Sequence, residues 1–323
     1  MSGLPAWISA TLQEKLENVS RSDLRSRAQA ISDAYRAGDS SDLIRSDLDA
    51  LAYAIVRMPA TYAAARAALR YAIEIVSDFQ PQSILDIGAG PGTASWAGID
   101  AWPSVQQTTL IDSNQRLLAL ARQFHRAMQR DIAANIIAGD LTQALNAAPS
   151  ADVVMASYAL TELTPNAPGS VLSTLWDRTN RLLVIVEPGT VDGFRRILAC
   201  RNALIADGAT IVAPCPHEGL CPLADSARWC HFAARLARSR DHMIVKDAHV
   251  PFEDEKFSYL VAGKGFADIA RGQRILATPK VSKAGVGLTL CAPENVEERN
   301  VPHRDKHAYK AAKRLDWGDI ANL

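Results

Sequence analysis

The chain has no excess of charge of either sign, because 35 Lys and Arg residues balance 35 Asp and Glu residues. The protein as a whole therefore has no bulk attraction to nucleic acid, and any basic surface has to be local. No apolar run approaches the length of a membrane span, so we expect no membrane partner. Residues 1–20 contain neither an apolar signal core nor an Arg-rich pattern, which predicts a cytoplasmic protein with reduced thiols.

Cysteine is scarce, with five residues in the chain, but its distribution is uneven. Three cysteines fall in the segment PCPHEGLCPLADSARWCHF, whose prolines disfavour regular helix and central strand. A thiol-rich loop without regular hydrogen bonding needs something to organise it, and a metal or cluster bound by thiolates would do so. The predicted metal ligands are Cys215, Cys221, Cys230 and Cys291.

The cysteine spacing does not identify the metal. It is C-x5-C-x8-C with a distant fourth cysteine, unlike the paired C-x2-C of zinc ribbons or the C-x2-C-x2-C run of ferredoxins. A four-cysteine zinc site, a four-thiolate iron–sulfur cluster and plain buried thiols or disulfides all remain open. Cys200 lies in a helical pattern and is assigned to the buried class. His217 and His231 are alternative ligands, although a His beside a thiolate is more often a hydrogen-bond donor.

Two kinds of periodicity divide the sequence. Residues 1–80 have the pattern of packed helices, with Leu24, Ala28 and Ile31 recurring on one helical face. From residue 81 onward strand and helix patterns alternate, which predicts a mostly parallel, doubly wound α/β sheet. The predicted strands span residues 84–87, 108–112, 134–140, 151–157 and 181–188. The segment GVGLTLCAP is predicted to be the last strand of the same core.

A glycine-rich loop follows the first predicted strand. Its spacing is G-x-G-x-G, and the carboxylate of Asp86 just before it would repel the pyrophosphate of a dinucleotide. S-adenosylmethionine, with its ammonium and sulfonium groups, suits the loop better, because glycines let the backbone approach a ligand closely. Asp112 ends the next strand, where it is placed to accept hydrogen bonds from the ribose hydroxyls. Asp140 and Leu141 follow the third strand, where they are placed beside the adenine. The predicted loop contacts are Gly88, Gly90 and Gly92.

With both patterns in view, the chain resembles the family of methyltransferase-like ribosomal small-subunit assembly factors, which includes the mitochondrial ribosomal protein Rsm twenty-two and methyltransferase-like protein seventeen. We expect a bacterial-type member. The matching segments run through nearly the whole chain and include MPATYAAARAAL, LDIGAGPGTASWA, SYALTEL, EPGTVDGFRRILACR, PCPHEGLCPL, FEDEKFSYLVAGK and RDKHAYKAAKRLDWGD.

The resemblance implies more than the motifs do. It implies a class I SAM-dependent methyltransferase fold of the Rossmann type that holds a four-iron, four-sulfur (4Fe-4S) cluster. The family's four cysteine positions fall on the four predicted ligands. It also implies that the protein acts on the small ribosomal subunit and its rRNA, by methylating the RNA or by assisting assembly.

The resemblance does not decide catalysis. The Asn/Asp-Pro-Pro-aromatic motif of amino-directed methyltransferases is replaced after the fourth strand by Ser-Tyr-Ala-Leu-Thr-Glu-Leu. Tyr158 is a candidate to stack a base, and Glu162 a candidate base or ligand for the methionine amine. The alternative is that Tyr158 belongs to the core and Glu162 to a helix start. Positioning alone can accelerate methyl transfer, so a missing general base does not exclude it.

The C-terminal part of the chain is locally basic. Its basic side chains can neutralise phosphates, and the rings of Tyr309 and Trp317, which are interleaved in this segment, can stack bases. The alternative is a solvated helical face. The predicted RNA contacts are Lys280, Lys283, Arg304, Lys306, Lys310, Lys313 and Arg314.

These observations predict a monomeric protein with a helical region, a methyltransferase core and a cysteine-rich insertion. We expect it to bind S-adenosylmethionine, an iron–sulfur cluster (or zinc) and the small ribosomal subunit. A non-catalytic scaffold and a small-molecule methyltransferase are the alternatives. The expected segments are residues 1–80 (helical region), 81–208 (core), 209–256 (cysteine-rich insertion) and 257–323 (last core strands and basic segment).

Overall fold

The structure, a computed structural model, describes residues 3–37, 43–160, 168–266, 269 and 271–322. The chain forms two compact units, which we describe separately. The first unit contains Met1–Arg66, Gln80–Asn180 and Ala234–Glu255. The second unit contains Ala67–Phe79, Arg181–Ala233 and Lys256–Leu323.

The N-terminal region is helical, as its periodicity predicts. Its helices are α1 (Ala6–Lys15), α2 (Arg21–Ala37), α3 (Asp47–Val56) and α4 (Met58–Ile73). The predicted stripe on α2 faces inward, because Leu24, Ala28 and Ile31 are all buried. Helix α3 begins with a reciprocal capping box between Ser46 and Asp49, which satisfies two backbone N–H groups at its start.

Four parallel strands form the sheet of the first unit. They are β1 (Ser83–Ile87), β2 (Gln107–Asp112), β3 (Ala133–Ala138) and β4 (Ala151–Ser157), in the order β3-β2-β1-β4. Helices α5 (Thr93–Ala101), α6 (Gln115–Ala127), α7 (Leu141–Ala147) and α8 (Pro168–Arg178) follow them in turn. This alternation confirms the predicted doubly wound arrangement. It also brings the carboxyl ends of the strands to one edge, with Ile87 in register with Ile111 and Ala156.

The segment Ala234–Glu255 adds a short helix to the first unit. Strand β7 (Phe232–Ala237) leads into α10 (Arg240–Lys246), which packs against α2 and α3 within the first unit. Among the described residues, no helix is both long and apolar enough to cross a membrane.

The second unit holds an antiparallel set of strands and an α-helix. Strand β8 (Phe252–Gly263) pairs antiparallel with β5 (Thr179–Pro188) and with β6 (Thr210–Ala213). Helix α9 (Val191–Ala206) joins β5 to β6. Strand β5 confirms the prediction for residues 181–188, and its Leu182–Val186 run is completely buried.

A second, smaller sheet lies in the C-terminal part of the second unit. Its strands are β9 (Gln273–Ile275), β10 (Lys280–Val281), β11 (Gly285–Cys291), β12 (Val296–Pro302) and β13 (Ile320–Ala321). Helix α11 (Lys306–Ala312) covers a small core that includes Ile275, Leu288 and Ala312. The prediction that GVGLTLCAP is the last strand of the main core is therefore wrong, because β11 pairs with β9, β10 and β12. Its alternating apolar residues fit either sheet, and only the long-range pairing separates the two.

Candidate functional site

The glycine loop, residues 88–92, follows β1. Gly88, Gly90 and Gly92 have φ angles of +66°, +54° and +81°, a region that L side chains rarely adopt. A Cβ atom on Gly88 would lie 2.6 Å from the Cβ of Ala159, and one on Gly92 would lie 2.6 Å from the Trp96 ring. Packing therefore requires glycine at these two positions. At Gly90, which is buried, the nearest such atom is Leu117 Cδ1 at 3.7 Å, an ordinary van der Waals contact, so packing does not exclude a Cβ there as it does at the other two positions.

Asp86 lies at the base of the loop and is completely buried. Its Oδ2 atom accepts hydrogen bonds from the backbone N–H and the hydroxyl of Ser95, at 2.9 and 2.8 Å. Its Oδ1 atom has no hydrogen-bond partner among the described residues. Burial raises the pKa of Asp86 to about 7, although the Ser95 hydrogen bonds oppose this shift. The carboxyl group thus ties β1 to the first turn of α5 and keeps one oxygen unbonded.

Asp112 ends β2 and holds the loop from the other side. Its Oδ2 accepts a hydrogen bond from the Gly90 N–H and its Oδ1 one from the Asn114 N–H, both at 2.7 Å. Burial raises the pKa of this carboxyl group, and the backbone N–H donors counteract that effect. Carboxylate oxygens have further lone pairs, so these bonds leave Asp112 able to accept ribose hydroxyls.

Asp140 serves as a helix cap at the same edge of the sheet. Its Oδ1 accepts hydrogen bonds from the N–H groups of Thr142 and Gln143, at the start of α7. Leu141 is the first residue of that helix. The structure thus brings the predicted cofactor residues to the carboxyl ends of β1, β2 and β3, the edge at which doubly wound sheets bind ligands. Their contacts to a cofactor remain a prediction.

Tyr158 directly follows β4 and has an unusual backbone. Its φ of +59° places a non-glycine residue in the left-handed region, a conformation enriched at functional sites. Its hydroxyl donates a hydrogen bond to Oε1 of Glu255 at 3.0 Å. Burial raises the pKa of Glu255, whereas Arg57 and the Tyr158 hydroxyl lower it. The other candidate, Glu162, lies outside the described residues.

The role of Glu255 could not be predicted from the sequence. It lies 97 positions after Tyr158, in a segment whose charged residues do not indicate a long-range partner. The next residue after Tyr158, Ala159, packs against Gly88 of the glycine loop. Tyr158 and Glu255 therefore form a polar pair beside the predicted cofactor site.

The four predicted cysteine ligands line one cavity in the second unit. Cys215 and Cys221 lie in the loop after β6, Cys230 lies before β7, and Cys291 ends β11. Cys200 is not among the lining residues and is buried on helix α9, as predicted. The topology thus brings together four thiols that are spread over 77 positions of sequence (215 to 291).

The environment of these thiols is apolar. Burial raises the pKa of Cys215, raises that of Cys230 far above its usual value, and raises that of Cys291 to about 12. The neighbouring thiols raise these pKa values further, whereas Arg274 lowers them. These three thiols are therefore protonated at neutral pH, and a bound cation would be needed to keep them as thiolates.

The four thiols do not converge on a single point. Within the residues that the structure describes, no three His, Cys, Asp or Glu side chains lie close enough to hold one metal ion. The Nε2 atom of His217 is 4.0 Å from the sulfur of Cys291. His231 instead stacks on Trp229, with ring centroids 5.1 Å apart, and its Nδ1 contacts the Trp229 carbonyl.

The predicted RNA contacts lie on the surface of the second unit. Their side chains are exposed, and none of them forms an ion pair within the described ranges. Tyr309 packs partly against the small-sheet core, and the Trp317 ring meets the edge of His231 at 5.0 Å. These two rings are therefore already in contact with the protein. The exposed residues are Lys280, Lys283, Arg304, Lys306, Lys310, Lys313 and Arg314.

The parallel strand order, the glycine loop and the acid at the end of β2 define a Rossmann-like α/β fold of the class I methyltransferase type. The chain belongs to the family described as "Mitochondrial small ribosomal subunit Rsm22", whose model matches residues 47–322. The resemblance stated from the sequence is thereby confirmed.

Curated relatives agree with this membership. The human ribosome assembly protein METTL17, mitochondrial, is 26% identical over 287 residues, which cover 84% of this chain and 62% of the relative. The Schizosaccharomyces pombe Rsm22-cox11 tandem protein 2, mitochondrial, is 26% identical over 338 residues, which cover 88% and 44%. The chain thus spans about three-fifths of the human relative and under half of the yeast one.

Solved methyltransferase structures also align with the chain. Magnesium protoporphyrin IX methyltransferase from Synechocystis, with bound SAM, is 12% identical at a TM-score of 0.41, covering 82% of this chain and 100% of that one. Precorrin-6y C5,15-methyltransferase from Geobacter metallireducens is 12% identical at a TM-score of 0.39, covering 61% and 86%.

The prediction of a cytoplasmic protein is wrong. The family model and the curated relatives are mitochondrial by description. The prediction rested on the composition of residues 1–20. The composition of such a segment does not by itself identify the compartment.

The buried carboxyl group of Asp86 predicts a pH-dependent stability. Folding raises its pKa from 3.8 to about 7, so the protonated carboxyl group favours the folded state. Its contribution to the free energy of unfolding is fully present below about pH 4 and is lost as the pH rises through 7. Asp86→Asn should flatten this part of the profile. Between pH 4 and pH 7.5, its free energy of unfolding should rise relative to that of the wild type by up to about 4 kcal/mol. Urea unfolding of both proteins between pH 4 and 8 measures the effect. Parallel profiles would contradict the burial of an unbonded carboxyl oxygen.

Proposed function

We propose that this chain acts in the assembly of the small ribosomal subunit, and that it holds S-adenosylmethionine and a four-thiolate iron–sulfur cluster. The family match over residues 47–322 is the observation that carries the ribosomal part of the proposal. The human relative is named as a ribosome assembly protein, and we extend that role to this chain. Co-sedimentation with small ribosomal subunits, without large subunits, tests this part directly.

The cysteine cavity supports a metal centre. Its lining combines four thiols with apolar side chains such as Phe194, Ile197 and Leu223, a donor set that suits soft metals. Four thiols on one apolar cavity suit a four-thiolate iron–sulfur cluster or zinc, and the family resemblance favours the cluster. The cluster, when bound, would supply a rigid crosslink between the loop after β6 and the end of β11.

The metal centre can be tested by composition. Protein purified without oxygen should contain iron and sulfide in about equal amounts, with a broad visible absorbance that bleaches on reduction. Cys215→Ser, Cys221→Ser, Cys230→Ser and Cys291→Ser should each lose the metal and lower the melting temperature, because metal binding contributes to folding.

Cys200→Ser is the matched control, since Cys200 is buried on α9 and does not line the cavity. Its iron content should equal that of the wild type. A content of one zinc ion per chain without iron would reject the cluster but would be consistent with the four cysteine ligands. Normal metal content in the four variants would reject the ligands themselves.

The glycine loop supports a cofactor site. Asp112 accepts a hydrogen bond from the N–H of Gly90 at the carboxyl edge of the sheet, and a Cβ at Gly90 would meet Leu117 Cδ1 at 3.7 Å without a clash. The unbonded oxygen of Asp86 and the acceptor oxygens of Asp112 suit the ammonium group and ribose hydroxyls of S-adenosylmethionine, whereas a dinucleotide pyrophosphate would find two acidic groups beside it.

Gly90→Ala should weaken the binding of S-adenosylmethionine at least tenfold, which is about 1.4 kcal/mol, because its new methyl group would occupy the ligand's approach path. Isothermal titration calorimetry measures the loss. Gly208→Ala is the matched control, since Gly208 also has a positive φ, of +80°, with no atom within 4 Å of the added Cβ. Both variants place an alanine at a positive φ, so both carry the same kind of backbone strain. Equal affinity in the two variants would place the cofactor elsewhere.

The exposed cations of the second unit support RNA as the ribosomal contact. Lys310 lies on α11, and Lys313 and Arg314 follow directly after this helix. Because the chain has no net charge, such a local group is the kind of feature that phosphate binding requires.

Reversal of Lys310, Lys313 and Arg314 to Glu should weaken binding to small subunits and flatten the salt dependence by about one unit per lost phosphate contact. Filter binding or sedimentation at several salt concentrations gives the slope. The control reverses three exposed arginines at other places, namely Arg116, Arg126 and Arg195. If both triple variants lose affinity equally, overall charge and not this surface is responsible.

Methyl transfer is the second function that a specific observation favours. Tyr158 is held at φ +59° beside Gly88 and is hydrogen-bonded to Glu255, an arrangement suited to presenting a base or an acceptor nitrogen to a methyl donor. Transfer of a labelled methyl group to small-subunit RNA distinguishes an enzyme from a scaffold. Transfer to small molecules alone would support the remaining alternative.

A further inference from the structure

Two arginines are buried in the wall of the cysteine cavity. Arg201 and Arg274 both line it, and each is only 3% exposed. Arg201 donates to the carbonyl oxygens of His217 and Gly219, at 2.9 and 2.7 Å. Arg274 donates to the carbonyl oxygens of Pro214 and Gly318, at 3.0 and 2.8 Å.

These partners carry no charge. Within the described part of the chain, no carboxylate forms an ion pair with either guanidinium group. The third hydrogen-bond partner of Arg201, the side-chain oxygen of Asn202, is also neutral. Burying a guanidinium without a counter-ion is costly, because the low-dielectric interior does not replace the lost hydration. Two such groups on one cavity therefore call for an anion inside it.

The cysteines can supply that anion only as thiolates. Four thiolates around a doubly positive cluster core leave two negative charges, and the same holds around Zn²⁺. Two guanidinium groups match this charge. The counter-charge therefore has the magnitude that a four-thiolate metal centre requires.

Two hydrogen-bond donors on the cavity wall are also unused. Nε of Arg201 and the hydroxyl of Tyr259 are buried without a hydrogen-bond partner among the described residues. Tyr259 is 1% exposed and lines the same cavity. Buried N–H and O–H groups are almost always bonded, and metal-bound sulfur is an acceptor for such donors.

We infer that Arg201 and Arg274 are the counter-charge of a doubly negative four-thiolate centre, and that Arg201 Nε and the Tyr259 hydroxyl donate hydrogen bonds to its sulfur atoms. This inference rests on the proposed metal centre. It gives the three residues a positioning and charge-balancing role and adds no ligand to the four cysteines.

The role predicts how the centre responds to an added electron. Reduction makes a cluster more negative by one charge, and nearby cations and sulfur-directed hydrogen bonds favour the reduced form. Removal of either positive charge should therefore lower the reduction potential. It should also make the resting centre less stable toward metal loss.

The test uses the full chain, purified without oxygen, with Arg201→Gln, Arg274→Gln and Tyr259→Phe. Spectroelectrochemistry should show lower midpoint potentials in all three variants, with the smallest shift in Tyr259→Phe, which loses a donor but no charge. Metal release to a chelator should be faster in the two Gln variants. Arg201→Lys should recover most of the potential, because it keeps the charge, and this rescue separates charge balance from a merely structural role.

Arg299→Gln is the matched control, since Arg299 belongs to the same unit but pairs with Glu297 and does not line the cavity. It should leave both the potential and the release rate unchanged. Wild-type protein without any metal would reject the proposed centre itself. A loaded wild type whose Gln variants keep its potential and release rate would overturn the inference alone. If the centre is zinc, the release rates carry the same test.

Discussion

The guanidinium group of Arg201 is the contact on which the cysteine-bearing segment depends. The loop after β6 has little regular hydrogen bonding of its own, and Arg201 supplies donors to two of its carbonyl oxygens from the buried side of α9. The same side chain lines the cavity that Cys215 and Cys221 share. One buried charge thus organises the loop and lines the cavity that the four thiols share. Because an unpaired buried charge is costly, the loop and the occupant of the cavity are energetically linked.

The first unit uses two buried acidic groups in a similar way. Asp86 and Asp112 are buried carboxyl groups whose hydrogen bonds go to Ser95 and to the N–H of Gly90. They hold the glycine loop, at the carboxyl edge of the sheet, in a conformation that side chains rarely adopt. In both units, a loop at a strand end takes its shape from a buried ionisable group. A ligand that bonds to that group would stabilise each loop further.

Local pattern was enough to predict β1 to β5, the helical character of residues 1–80 and the buried Cys200, because period and turn residues are encoded within each segment. The thiols could be grouped from their chemistry and the family resemblance. Three features could not be predicted: the pairing of β11 in a separate sheet, the Tyr158–Glu255 hydrogen bond and the inward position of Arg274. Each depends on residues far apart in sequence. An arginine in a basic segment looks like a surface residue until its burial is known.

The backbone at the end of β4 bears on whether this fold is an enzyme or only a scaffold. A left-handed φ at Tyr158 costs about 1–2 kcal/mol, and glycine at that position would avoid the cost. The chain instead keeps a tyrosine whose hydroxyl reaches Glu255 and whose neighbour Ala159 closes against Gly88. The segment after β4 therefore joins the predicted cofactor loop to the Tyr158–Glu255 pair. The proposed methyl transfer would use this pair to position a substrate group beside the cofactor, whereas a scaffold would need only the sheet.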